Sequence, residues 1–266
     1  MDVLIKTCYI SKSTLYFKVD LFFIFLLFYA LIYMKSFIRF CQKNILERPF
    51  IAALGLLFLF NFGLTFFRVL YAQEGYFLFL VWNLFLAFLP FVFIHGASYF
   101  RNKKGASFVV FLLGGISLLF LPNSPYIITD LFHLKYWNHT APLWFDTVMI
   151  FSYASTGFIL FYATLLMMEK LLKTYFKTGT ATFFLLGIIF LNAFGIYLGR
   201  YMRFNSWDII SNPMGLMEEV VSYISNPLGH PRIWGITFTY GMLFFVGYCC
   251  IKLFQQTIQN EQSRSV

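Results

Sequence analysis

YFLFLVWNLFLAFLPFVFIHG, residues Tyr76–Gly96, contains no Asp, Glu, Lys or Arg. A run of this length can cross the ~30 Å hydrocarbon core of a bilayer as one α-helix, which takes ~20 residues. It has no polar stripe for water to meet, so it does not read as a surface helix of a soluble domain. The pattern recurs on both sides. Phe50–Tyr71, Gly105–Leu121, Leu143–Met168, Ala181–Gly199 and Ile233–Ile251 are further apolar runs joined by short connectors. The expected fold is all-α, a multi-pass transmembrane helix bundle with six spans.

An earlier run, Val19–Met34, is apolar all round except for Asp20. A helix lying flat on a membrane needs a polar face, so this run reads as a seventh span at the N-terminus. Lys18, Lys35 and Arg39 would snorkel to its two interfaces. If Met34 is instead the first residue of the product, the chain starts at MKSFIRFCQKNILER and has six spans. The domain expectation is a basic extension over 1–49, holding the extra span at 19–40. A membrane domain follows over 50–253, with polar loops at 122–142 and 200–232, and then a polar tail over 254–266. No cleavable leader is expected, because no small-x-small site follows the first apolar run.

Composition agrees. The 266 residues are 60% hydrophobic and 12% charged, against about 25% charged in a soluble domain. The net charge of +9 does not point to nucleic acid, because the basic residues cluster in short connectors. These are KSFIRFCQKNILER (Lys35–Arg48), RNKK (Arg101–Lys104) and EKLLKTYFK (Glu169–Lys177). The positive-inside rule places them in the cytoplasm with the C-terminal tail, which carries Lys252 and Arg264. Lys6, Lys12 and Lys18 would then lie outside, which counts against the seventh span. The lipid bilayer is the expected partner, through anionic headgroups at the basic connectors. Cys8, Cys41, Cys249 and Cys250 form no CxxC pair, so neither a zinc knuckle nor a redox motif is expected.

Two segments break the pattern: LPNSPYIITDLFHLKYWNHTAPLWFD (Leu121–Asp146) and LGRYMRFNSWDIISNP (Leu198–Pro213). With six alternating spans they face the same, outer compartment. Pro122 ends a span. Ser124 as N-cap and Pro125 at the first helical position start a short helix reaching about Tyr136. On it Tyr126, Asp130, His133 and Trp137 share a face. Pro142 begins the next span, with Trp144 and Asp146 in its first turn. Gly195 and Gly199 form a GxxxG that lets a neighbouring helix approach. Ser206 caps a following turn, with Asp208 near its positive end. After Pro213, Leu216, Met217, Val220 and Ile224 oppose Glu218, Glu219 and Ser222, the pattern of an amphipathic helix resting on the outer leaflet. Asn226–Arg232 is a turn-rich link into the last span.

PNSPYIITDLFHL, the Trp144-Phe145-Asp146 triplet, YLGRYMRFNSWD and WNLFLAFLPF (Trp82–Phe91) resemble the signature stretches of a bacterial membrane family catalogued as domain of unknown function 1361. The resemblance covers roughly Phe50 to Leu253. It implies a multi-pass protein of the bacterial cytoplasmic membrane and transfers no activity.

Several chemistries compete for the outer loops. Asp130, His133, His139, Asp146, Asp208 and His230 have the donor types of a metal site. No HExxH or other compact motif supports one, and the plainer reading makes them a helix-start charge, solvated loop residues and a local pair. Arg200, Arg203 and Arg232 suit bidentate recognition of phosphate or carboxylate, such as a lipid phosphate or an undecaprenyl-type headgroup. The plainer reading pairs Arg200 with Asp146, pinning two spans together. Trp137, Trp144, Trp207, Trp234 and Tyr136 read as an aromatic belt. Asn61, Asn83 and Asn192 would make interhelical hydrogen bonds. No Asp, Glu, Lys or Arg falls at mid-span in the six spans, which disfavours ion-coupled transport. GxSxG, P-loop and GxGxxG patterns are absent, so no cofactor is expected.

The leading expectation is an outer-face site of Asp130, His133, Asp146, Arg200, Arg203, Asn205, Trp207 and Asp208 that binds an anionic lipid or an envelope precursor. A metal-assisted hydrolase or transferase at the outer leaflet is the first alternative. A structural membrane partner is the second.

Overall fold

The computed structural model describes residues 48–136 and 140–264. Val19–Met34 and the alternative start at Met34 lie outside the described residues. The chain divides into two compact units, Met1–Leu56 and Leu57–Val266. Of the first, only the opening turns of one helix are described.

The described residues are mostly helical, with no strand among them. The helices are α1 (Arg48–Ala72), α2 (Phe79–Phe100), α3 (Ser107–Phe120), α4 (Leu143–Tyr175), α5 (Thr178–Tyr201), α6 (Pro213–Ser225) and α7 (Pro231–Arg264). Six stretches are long and apolar enough to cross a membrane: Pro49–Ala72, Tyr76–Phe100, Ser107–Lys135, Leu143–Tyr175, Thr178–Tyr201 and Pro231–Arg264. The protein is an all-α multi-pass membrane bundle.

Within Leu57–Val266, buried Ile94, Val110, Phe161, Leu165, Ile189 and Phe244 bring α2, α3, α4, α5 and α7 around one core. Phe and Tyr remain abundant on the outside, as lipid-facing surfaces require. One end of the bundle is tied by Glu169, which accepts from Lys173 at 2.7 Å and from Lys252 at 2.9 Å, joining α4 to α7. The other end carries the two polar segments.

The third crossing differs from its expectation. α3 has 14 residues, only ~21 Å at 1.5 Å per residue. The chain does not leave the bundle at Pro122. It continues through one α-turn, Asn123–Tyr126, into a 3-10 helix, Ile127–Tyr136. Leu121, Ser124, Ile127 and Asp130 are all buried. The segment expected as a loop over 122–142 is helical from Asn123 to Tyr136, and most of it belongs to the apolar stretch Ser107–Lys135. Asp130 falls near the Lys135 end of the apolar stretch Ser107–Lys135, away from its middle.

Two glycines admit this segment. A Cβ on Gly157 of α4 would collide with the Ser124 carbonyl oxygen, and one on Gly195 of α5 would lie 2.7 Å from the Pro122 ring. The Gly195/Gly199 pair thus faces Pro122 and Tyr126 of the third crossing. Ser124 is no N-cap. Its hydroxyl donates to the Ala87 carbonyl at 2.8 Å, and Ser117 donates to the Pro90 carbonyl at 2.7 Å. Both hydroxyls stitch the third crossing to the proline-containing middle of α2.

Two of the three asparagines act as expected. Asn61 donates to Thr156 at 2.8 Å and Asn83 to Asp130 at 2.9 Å, both between crossings. Asn192 instead donates to the Ile188 carbonyl of its own helix at 2.7 Å.

Candidate functional site

In a 3-10 helix the side chains at i and i+3 lie over one another. Ile127, Asp130 and His133 therefore form one line, anchored by buried Ile127. Asp130 is 1% exposed. Its Oδ2 accepts from Asn83 Nδ2 at 2.9 Å, and its Oδ1 faces Arg200 Nη1 at 3.5 Å and His133 Nε2 at 3.9 Å. His133 Nε2 lies 3.5 Å from Arg200 Nη1, and Nδ1 lies 3.2 Å from the Tyr76 hydroxyl. The imidazole also packs 4.7 Å from the Phe79 ring. Arg200 lies in the last turn of α5 with its guanidinium 5.2 Å above Phe132. Three crossings thus converge on one carboxylate, and the two polar segments meet at the same end of the bundle.

The geometry of Arg200 is incomplete as an ion pair. One nitrogen contacts Asp130 and His133, each at the long limit of a hydrogen bond. Among the described residues, its Nε and Nη2 carry no hydrogen bond. The side chain is 17% exposed.

Asp146 does not join this cluster. It pairs with Arg68 rather than Arg200: Nε to Oδ1 at 3.2 Å and Nη2 to Oδ2 at 3.4 Å. The reason lies in how α1 meets α4. Asn61–Thr156, the Thr65 and Tyr153 hydroxyls 2.7 Å apart, and Arg68–Asp146 form successive polar rungs between the two helices. Both charged groups are buried, at 1% and 0% exposure. Asp146 also sits in the first turn of α4, where the helix dipole favours a carboxylate. Arg68 Nη2 adds a bond to Thr140 at 3.2 Å, Nη1 lies 3.9 Å from Glu74, and the guanidinium covers Phe77 at 4.9 Å. The short 3-10 turn Tyr76–Leu78 links the clusters, sending Tyr76 to His133 and Phe77 to Arg68. Sequence reasoning left Arg68 out of the site. The available signal was its place as the one charge in Phe50–Tyr71.

Asn205, Trp207 and Asp208 form a separate local unit. Asp208 accepts from the Asn205 backbone N–H at 2.6 Å and from Ser211 at 2.8 Å, closing the helical turn Asp208–Ser211. Ser206 does not cap that turn. It donates to the Leu119 carbonyl at 3.3 Å and accepts from Asn123 at 3.0 Å, fastening the loop to α3. Trp207 and Trp144 are exposed. Arg203 is exposed with φ +61°, where a side chain is strained and glycine is at ease. Arg203 and Arg232 have no carboxylate partner among the described residues, and Arg232 lies over the Tyr201 ring at 4.7 Å.

His230 packs on the Tyr223 ring at 5.0 Å. Burial pushes the Tyr223 phenol pKa well above its ordinary value, and the hydrogen-bonded Glu219 carboxylate adds to this. His139 and Trp137 lie outside the described residues. Among the described residues no three His, Cys, Asp or Glu side chains are grouped to hold a metal ion.

A family model described as "Protein of unknown function (DUF1361)" matches residues 82–247, more than half of the chain. No curated protein and no solved structure matches. The matched range contains Asp130, His133, Asp146 and Arg200, and it begins after Arg68 and Tyr76.

Proposed function

The chain belongs to the DUF1361 family of proteins of unknown function, and we propose that its polar-segment end binds the anionic headgroup of a lipid or other envelope component. One observation carries this reading. Arg200 is held by Asp130 and His133 through a single nitrogen, partly exposed, with the rest of its fork unused among the described residues. A guanidinium so placed is oriented for a phosphate or carboxylate, which it grips with two parallel N–H groups. Arg203 adds an exposed positive charge beyond it. Asp130 and His133 orient Arg200 rather than touch the ligand.

The membrane is the cytoplasmic membrane of a bacterium, and the polar-segment end faces outward. This orientation rests on the opposite end, where Arg101, Lys103, Lys104, Lys170, Lys173, Lys177 and Lys252 gather beside the cytoplasmic C-terminus. The metal-assisted alternative draws no support from Asp208, whose carboxylate is spent on its own turn.

The test is native-lipid retention on gentle purification, read by mass spectrometry. Arg200→Ala is expected to lose the co-purifying anionic lipid. Arg203→Gly is expected to lose part of it while unfolding no more easily, because glycine relieves the left-handed backbone there. Full retention by both folded variants would overturn the proposal.

A further inference from the structure

α6 is surrounded by three different environments. It begins at Pro213, capped by Asn212, whose side-chain oxygen accepts from the Gly215 N–H at 3.2 Å. With about 100° of rotation per residue, its side chains sort into three sectors. Tyr223 is buried, and half-buried Leu216 and Val220 share its side. Glu218, Ser222 and Ser225 form an exposed polar strip. Between them Met214, Met217, Val221 and Ile224 form an exposed apolar strip, at 69%, 64%, 54% and 62% exposure. Leu228, in the turn that follows, is 91% exposed. The amphipathic pattern of the sequence is thus divided, with Leu216 and Val220 turned to the protein and Met217 and Ile224 turned away from it.

A helix with protein, water and an uncovered apolar strip on its three sides fits a membrane interface. α6 is held against two spans through Tyr223. Tyr223 packs on Tyr197 of α5 at 6.1 Å and shares a buried cluster with Ile233 of α7. That contact also sets a depth. Tyr197 precedes Arg200 by less than one turn, ~4.5 Å of rise. An interfacial helix sits ~5–10 Å into the boundary between headgroups and acyl chains.

We infer that α6 lies in the plane of the leaflet with Met214, Met217, Val221 and Ile224 immersed, and that this sets Arg200 at the depth of the lipid phosphates. The second half rests on the anion site proposed above and names its source: the ligand is a phospholipid-type phosphate entering sideways from the leaflet, not a dissolved anion. The acidic edge of α6 then faces water, where Glu218 is free of the repulsion anionic lipid would impose.

The experiment uses the full chain with Cys8, Cys41, Cys249 and Cys250 changed to serine, reconstituted into vesicles of phosphatidylglycerol and phosphatidylcholine. Spin labels are attached at Met217→Cys, Ile224→Cys, Glu218→Cys or Ser222→Cys. Labels at 217 and 224 are expected to relax several-fold more with oxygen than with a water-soluble nickel chelate, and those at 218 and 222 the reverse. Equal nickel accessibility at all four would overturn the leaflet placement. A second arm measures labelled phosphatidylglycerol bound in nanodiscs, with Arg200→Ala as control and inorganic phosphate as competitor. Phosphate is expected to leave it bound, and full displacement would overturn lipid entry. Immersed labels with binding unchanged in Arg200→Ala would sink the anion site alone. Water-exposed labels with binding lost in Arg200→Ala would sink the α6 inference alone.

Discussion

At the scale of single residues, the two ion pairs at the polar-segment end differ in what they ask of the protein. Arg68 and Asp146 are sealed from solvent, and two nitrogens meet two oxygens. Removing either charge strands the other in a dry site, which costs about 3–5 kcal/mol. Arg68→Ala or Asp146→Ala is expected to lower thermal stability in detergent sharply, and Arg68→Met with Asp146→Leu to recover most of the loss. Equal losses in single and double variants would show that the pair does not act as a unit. Arg200 is different, because it is part-exposed and only half engaged. Its replacement should touch ligand retention far more than stability. None of these pairings was legible in the sequence. Asp146 and Arg200 were both visible as charges at span ends, and pairing them was reasonable. The partner that won, Arg68, depended on the contact of α1 with α4, which spacing within one helix does not reveal.

At the scale of elements, the third crossing carries the main lesson. Asn123-Ser124-Pro125 has the chemistry of a turn, and in isolation it reads as the start of a surface helix. The neighbours overrule it. Gly157 and Gly195 leave room for backbone and ring, while Ser117 and Ser124 supply bonds to α2. The six apolar runs gave their helices away because lipid demands unbroken apolarity. The stretch Leu121–Asp130, packed against other helices, escapes that demand and holds two prolines and an aspartate. The 3-10 geometry then decides the site, since its repeat puts Asp130 and His133 over one another. Gly157→Ala is expected to destabilise by about 1–3 kcal/mol or more, as overpacking does. Gly187→Ala, with open space around its Cβ, should be neutral. Equal unfolding temperatures for the two variants would refute the close approach.

At the scale of the whole molecule, charge is divided unevenly between the ends. Glu169 is buried between Lys173 and Lys252 amid a basic surface, while the opposite end pairs its charges more evenly. The orientation proposed from this division has a direct check. Reporter fusions after Lys104, Lys177 and Arg264 should be active as cytoplasmic fusions, and one within Gln73–Glu74 should report the opposite side. A cytoplasmic signal from the Gln73–Glu74 fusion would reverse the topology and move the anion site to the inner leaflet.

The length of α7 has its own consequence. Its 34 residues make ~51 Å of helix, well beyond the ~30 Å of hydrocarbon. The Lys252 tie to Glu169 marks where the bundle stops supporting it, and every residue from Leu253 to Arg264 is exposed. That segment is a stalk ~18 Å long at 1.5 Å per residue. A partner or fused domain joined at its tip would ride clear of the headgroups, turning with the helix instead of hanging from a slack tether.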